Sequence, residues 1–435
     1  MLFEGRIVLQ GGHVVDPANG IDEVMDIRLD DGIILDVQKT IDPKPGEQAV
    51  PCEGQYIFPG FVDLHVHFRD PGQTYKETLE SGTRAAAAGG YTAVCPMPNT
   101  VPATDDMEKI SILLRRCQDE AVVKVFPISA VTKGQLGKEP VDVASVKIAG
   151  AVALSEDGKS VMDIKLYEKM MKEAAKQGLP VFAHCEEKAL APDGVINAGA
   201  KAEELGLPGI PDAVEDIIAA RDIFLAGETG ARLHLCHCST KASVAMVLLA
   251  KRLGYKVTAE ACPHHFVLCD EDIPCDDGNY KMNPPLRSKE DMVAIREGVK
   301  QGIIDCISTD HAPHSETEKS DGFRTSPFGI VGLETAFALS YTTLCYEGGM
   351  KLSELIRRMS TNPAKIIGYN GGSITPGKPA DLTVCSLDKW TIDRNAFVSK
   401  GHNSPFHGRE VYGRVLRTFV NGKQVYQNPD LDMMF

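Results

Sequence analysis

A chain of 435 residues with 43% hydrophobic and 24% charged residues has globular composition, and it is long enough for one large core plus a small accessory domain. Its formal net charge of −14, from 60 acidic and 46 basic residues, repels nucleic acid and anionic membranes, so neither is expected as a partner. No run of about 20 apolar residues offers a membrane span, and the start MLFEGRIVLQGGHVVDP carries no signal pattern. A cytoplasmic setting follows as the expectation, with the 12 cysteines as reduced thiols packed in the core.

Residues 1–55 alternate short apolar runs with Gly and Asp-Gly turns, as in RIVLQGGHVV and DIRLDDGIILDV. Residues 371–435 read alike, with PGKPADLTVCSL and GRVLRTFVNGKQVY as strands and Asn421-Gly422 as a hairpin turn. The two ends therefore predict one small β-sandwich domain built from both termini.

Residues 56–370 repeat short apolar runs separated by helical stretches. Eight runs stand out: 61–67, 91–97, 122–129, 150–157, 179–186, 232–239, 256–263 and 303–310. Segments such as DIKLYEKMMKEAAKQG between them have helical periodicity and end in Gly. Eight βα units predict an α/β fold of the (β/α)8 TIM-barrel type.

Reactive residues fall where such a barrel builds its site, at the C-terminal ends of the strands. His65 and His67 close the first run, Asp157 the fourth, His184 the fifth, His237 the sixth and Asp310 the eighth. On a strand, residues two apart share a face, so the imidazoles of His65 and His67 can reach one ion. Imidazole with carboxylate suits zinc, with manganese, cobalt or iron as alternatives. Six ligands exceed what one tetrahedral ion takes, which points to two ions sharing a bridging carboxylate and a bridging hydroxide, the equipment of a hydrolase. Asp310 is placed to shuttle the proton. His234, three residues from His237, falls on the opposite strand face and reads as structural. His264 and His265 follow strand seven and are left unassigned, and His311, next to Asp310, reads as support for it and not as a ligand.

At these positions the sequence resembles a known family. PGFVDLHVHFRDPG (59–72), CPMPNT (95–100), SEDG (155–158), AHCE (183–186), CHCST (236–240), PHHF (263–266), KMNPPLR (281–287), STDHAPH (308–314) and SPFGIVGLET (326–335) together resemble the class I, bacterial-type dihydroorotases of the amidohydrolase superfamily. The resemblance implies reversible cyclisation of N-carbamoyl-L-aspartate to L-dihydroorotate, a step of de novo pyrimidine (UMP) biosynthesis. It implies His65, His67, Asp157, His184, His237 and Asp310 as ligands of two Zn2+ per subunit, with Asp157 and a hydroxide as bridges and Asp310 as catalytic acid/base. It further implies substrate contacts from His67, Arg69, Asn99, Asn283 and His314, with Phe328 and Gly329 offering backbone near the ring. A homodimer, and association with aspartate transcarbamoylase, are implied on the same ground.

Many relatives bridge the ions with a carbamylated lysine at the end of strand four. Here GAVALSEDG offers none there, and Lys147 precedes the run, so Asp157 is the expected bridge. Asp70, Glu156 and the Ala261-Cys262 pair depart from the family's usual residues without removing a ligand. The polar segment 315–327 is expected to be a mobile lid. Two other readings remain: a hydantoinase or allantoinase, against which the missing lysine and KMNPPLR argue, and an inactive scaffold homologue, against which the complete ligand set argues.

Overall fold

The computed structural model describes residues 3–431. From the N-terminal part come β1 (Ile7–Asp16), β2 (Ile21–Asp30), β3 (Ile33–Gln38), β4 (Gln48–Pro51) and β5 (Tyr56–Pro59). The barrel region supplies β6 (Phe61–Val66), β7 (Tyr91–Pro96), β8 (Lys124–Val125), β9 (Ile128–Ala130), β10 (Ala153–Ser155) and β11 (Val181–Ala183). It continues with β12 (Ile196–Asn197), β13 (Gly209–Ile210), β14 (Leu233–Leu235), β15 (Val257–Ala261) and β16 (Cys306–Ile307). The C-terminal part adds β17 (Leu382–Thr391), β18 (Glu410–Val420) and β19 (Lys423–Gln427).

Both ends of the chain join one eight-stranded sheet in the order β19-β18-β17-β5-β1-β2-β3, with β4 on β1. Strand β1 serves two neighbours on one side: its first half pairs β4 and its second half pairs β5. The register shift between Leu9 and Gly12 separates the two halves. Ile7, Leu9, Ile27 and Ile57 from one end pack with Leu382, Val384 and Phe419 from the other in a single apolar cluster. Strand β5 lies beyond residue 55 yet belongs to this sheet, paired to both β1 and β17.

The middle of the chain forms two larger parallel sheets, β6-β7-β8 and β9-β10-β11-β14-β15-β16, in sequence order, and a separate parallel pair, β12-β13. The expected eight-stranded ladder is not continuous, for two local reasons. The third run is split into β8 and β9 at Pro127, which has no N–H for a ladder. Phe126 N bonds Val94 O at 2.9 Å on one side, while Pro127 O accepts from Val152 N at 3.0 Å on the other. Between the eighth run and the first there is only an isolated bridge, Val66 to His311. There the Asp63 carboxylate takes donors that a ladder would use, accepting from Thr309 N at 3.1 Å and Thr309 Oγ1 at 2.6 Å.

Helices fall where periodicity put them. Helix Ile164–Gln177 is capped by the Asp163 side chain at its start and by Gly178 in the left-handed region at its end. Helix Lys241–Arg252 is capped by Thr240. The twelve cysteines are free thiols, and most are buried. No helix among the described residues is long and apolar enough to cross a membrane.

Candidate active site

The expected strand-end residues lie just beyond the strands. His67 and His184 follow the last residues of β6 and β11 by one, Asp157 and His237 follow β10 and β14 by two, and Asp310 follows β16 by three. The chain is turning there: His237, Asp310 and Arg69 have φ of 30°, 49° and 58°. Non-glycine residues rarely adopt such angles, and strain of this kind gathers at functional sites.

All six proposed ligands converge. His65 Nε2 lies 3.3 Å from Asp157 Oδ1 and 3.6 Å from Asp310 Oδ1. His67 Nε2 lies 2.9 Å from Asp310 Oδ1 and 3.6 Å from Asp157 Oδ2. His184 Nδ1 lies 2.9 Å from His237 Nε2 and 3.6 Å from Asp157 Oδ1. Asp157 thus touches both halves of the cluster. His65, His67 and Asp310 form one group of close ligand atoms, and His65, Asp157 and His237 another.

The donor set fits metal ions on an observation independent of spacing. His65 Nε2 and Asp157 Oδ1 are buried and have no hydrogen-bond partner, though they face each other. Unpartnered buried polar atoms are costly, and these two point at the centre of the cluster. The far nitrogens of the rings are occupied: His65 Nδ1 lies 2.8 Å from Glu260 Oε1, and His67 Nδ1 lies 2.9 Å from Asn99 Oδ1. Each bond places the ring proton on Nδ1 and leaves the Nε2 lone pair facing inward, the arrangement of a metal-ligating histidine. His184 Nε2 meets Glu186 Oε2 at 3.1 Å in the same manner, which leaves Nδ1 inward.

Electrostatics agree. Burial opposes charge on Asp157, but the His65, His237 and His67 rings hold its carboxyl well below the usual range. Asp310 is lowered too, against burial, by His65 and His67. Without an ion, Asp157 and Asp310 hold His65 well above its ordinary value despite burial, so its inward Nε2 would give up a proton when a cation binds. Two buried carboxylates stay ionised, ready for cations.

Beside the cluster is a cavity of about 190 Å³. Its lining includes His67, Arg69, Asn99, Asn283, Phe328 and Gly329. Asn99 differs from the expectation of a free substrate contact, because its amide also bridges His67 and Asp157, donating to Asp157 Oδ2 at 3.0 Å. Arg69 forms no ion pair among the described residues; its Nε donates to Pro313 O at 3.3 Å, and its Nη2, 3.2 Å from the proton-bearing His314 Nε2, faces another donor and makes no hydrogen bond there. His314 is neutral: burial and the cations Arg69, Lys76 and Lys319 push it down to about 2. Lys76 Nζ donates to its Nδ1 at 3.1 Å, so Nε2 carries the proton and donates to Phe328 O at 2.8 Å.

Glu260 was not singled out from sequence. It is fully buried and accepts from His65, from His234 Nε2 at 3.1 Å, from His237 N at 3.3 Å and from Ser308 Oγ. His234 lies between Thr258 and Glu260 and is tied to the cluster through Glu260. His311 lies against Glu77 at 3.4 Å, and His265 donates to Pro284 O at 2.9 Å. Lys147 is exposed and bonds Gln177 O, away from the cluster. Segment 315–327, expected as a lid, is folded into two short helices, Glu316–Lys319 and Gly322–Thr325.

Comparisons with known proteins identify the family. The Amidohydrolase family model covers residues 56–425. A dihydroorotase of Acetivibrio thermocellus is 43% identical over 96% of this chain and 98% of its own. A dihydroorotase of a Geobacillus strain is 45% identical over 97% and 99%. Among solved structures, an L-hydantoinase (dihydropyrimidinase) from Arthrobacter aurescens superposes with a TM-score of 0.85 at 25% identity, over 98% of this chain and 96% of that one. This chain belongs to the amidohydrolase family and stands among its dihydroorotases.

Proposed function

We propose that this enzyme interconverts N-carbamoyl-L-aspartate and L-dihydroorotate in de novo pyrimidine biosynthesis, with two zinc ions held by His65, His67, Asp157, His184, His237 and Asp310. The observation that carries the reading is Arg69, a guanidinium without an ion pair among the described residues that lines the cavity beside the ligand cluster. A carboxylate-bearing ring placed against the cluster would meet it bidentately. Neutral His314 leaves the local positive charge to Arg69, since Lys76 is paired with Glu318 at 2.9 Å, and Asn283 completes the polar lining. When bound, the ions would acidify a water and polarise the ring carbonyl.

The chain's own part in ring opening is proton traffic and placement. Asp310, ionised and 2.9 Å from His67 Nε2, takes the proton of the attacking water as the O–C bond forms. It delivers that proton to the ring nitrogen as the C–N bond breaks. In the synthetic direction the carbamoyl nitrogen attacks the side-chain carboxyl, and Asp310 returns the proton as water leaves. Glu260 and Asn99 hold the His65 and His67 rings in one tautomer throughout.

The remaining parts of the reading rest on the resemblance and on composition. The two larger parallel sheets are read as the wall of a (β/α)8 barrel spanning 56–370, and the terminal sheet as a sandwich of 1–55 with 371–435. A homodimer, contact with aspartate transcarbamoylase and a cytoplasmic setting complete it. Ring opening of dihydroorotate, hydantoin and allantoin, measured side by side, tests the substrate. Turnover of dihydroorotate alone is expected, and activity confined to the other two overturns the assignment.

A further inference from the structure

We propose that Lys319 is a positioning residue for substrate binding, holding the Phe328–Gly329 wall of the cavity from behind. The inference rests on the dihydroorotate reading of that cavity. Lys319 closes the short helix Glu316–Lys319 and is only 3% exposed. Its ammonium has no carboxylate within ion-pair distance among the described residues. It donates instead to three carbonyls: Lys281 O at 3.0 Å, Pro327 O at 2.9 Å and Gly329 O at 2.9 Å. Three acceptors use all three N–H groups of the ammonium.

Burial lowers Lys319 to about 7, and an amine held in the interior with no carboxylate in reach among the described residues is costly, so its placement calls for a use. The three carbonyls belong to the segment after the 278–280 turn and to the two residues flanking Phe328. Lys319 thus ties KMNPPLR to SPFGIVGLET through a residue of the segment between His314 and Phe328. Gly329 N donates to Lys281 O at 3.0 Å and closes the same loop of bonds.

Gly329 is fixed from the front as well. Its φ is +128°, and a Cβ there would lie 2.6 Å from Ala312 Cβ and 3.2 Å from His314 Nε2. From behind, Asn403 Nδ2 is a second donor to Gly329 O at 3.0 Å, and it also donates to Ala312 O at 3.1 Å. Asn403 Oδ1 accepts from His314 N at 3.0 Å. Lys319 and Asn403 together therefore set where Gly329 and Phe328 O stand relative to His314. None of these atoms belongs to the ligand cluster, so the device acts on substrate fit and not on metal retention.

The test is steady-state kinetics on the metal-loaded enzyme with dihydroorotate, beside metal content and circular dichroism. Lys319→Met keeps the stem and removes the ammonium. The expected result is a KM raised by about tenfold or more, a kcat changed much less, and wild-type metal content. Lys319→Arg restores part of the loss, and Asn403→Ala combined with Lys319→Met is non-additive because both serve one carbonyl. Should the Met variant not fold, Lys319→Gln, which keeps two N–H donors, gives the same readout. A folded variant with wild-type KM, or one that loses kcat and metal in parallel, overturns the proposal. Absence of dihydroorotate turnover in the wild type would instead sink the substrate reading.

Discussion

Replacing Glu260 by glutamine removes one charge from a carboxylate that accepts four bonds. Oε1 receives His65 Nδ1 at 2.8 Å and His237 N at 3.3 Å; Oε2 receives His234 Nε2 at 3.1 Å and Ser308 Oγ. The new amide NH2 settles on the Oε2 side. Ser308 can rotate there, and His234 can move its proton to Nδ1, facing Thr258 Oγ1 at 2.9 Å. The His65 bond survives but loses its charge assistance, about 1 kcal/mol. A change beside a metal-ligating histidine typically weakens metal binding by about 10- to 100-fold, and that is the expected loss. Glu260→Ala is harsher: His65 Nδ1–H and His237 N–H are left unpaired at about 1–3 kcal/mol each, a large share of a domain's ~5–15 kcal/mol. Metal retention against a graded chelator series reads the first variant, and thermal unfolding of the metal-free protein reads the second. A Glu260→Gln enzyme that holds metal as tightly as wild type refutes the reasoning.

Three further outcomes are expected. Gly329→Ala forces a side chain into +128° φ with its Cβ 2.6 Å from Ala312 Cβ; a rise in KM and a stability loss of about 1–3 kcal/mol in urea titration follow. The Asp70 carboxyl is lowered, against burial, by Arg116 at 2.7 and 2.8 Å and by Leu79 N. Its stabilisation is present at neutral pH and is lost as pH falls through its depressed pKa, so Asp70→Asn costs about 1 kcal/mol at pH 7 and the gap to wild type closes in strong acid. Lys147→Ala leaves metal content and activity unchanged; loss of either would restore a lysine bridge.

Much of the site was legible because chemistry demanded particular residue types at strand ends. HVH, the Asp of SEDG, the His of AHCE and CHCST, and the Asp of STDH all arrive at one cluster. What was not legible came from backbone behaviour that spacing hides. His237 was placed on a strand, yet it lies on a turn with φ of 30°. The third run was read as one strand, and Pro127 divides it between two neighbours. Glu260 and Asp63 offered a usable signal, an acidic residue inside the apolar runs KVTAEACP and FVDLHVH. Carboxylates rarely enter a core unless paired, and both prove to be fully buried acceptors. Lys319 gave none, because it sits in a polar stretch that reads as solvated.

Turnover of N-carbamoyl-L-aspartate by the purified chain, with and without chelator and beside Asp310→Ala, tests the central claim most directly. The account predicts cyclisation to dihydroorotate by the wild type, its loss on chelation with recovery on adding zinc, and a fall of at least about 100-fold in the Asp310→Ala enzyme. Cyclisation that survives either the chelator or the substitution would contradict it.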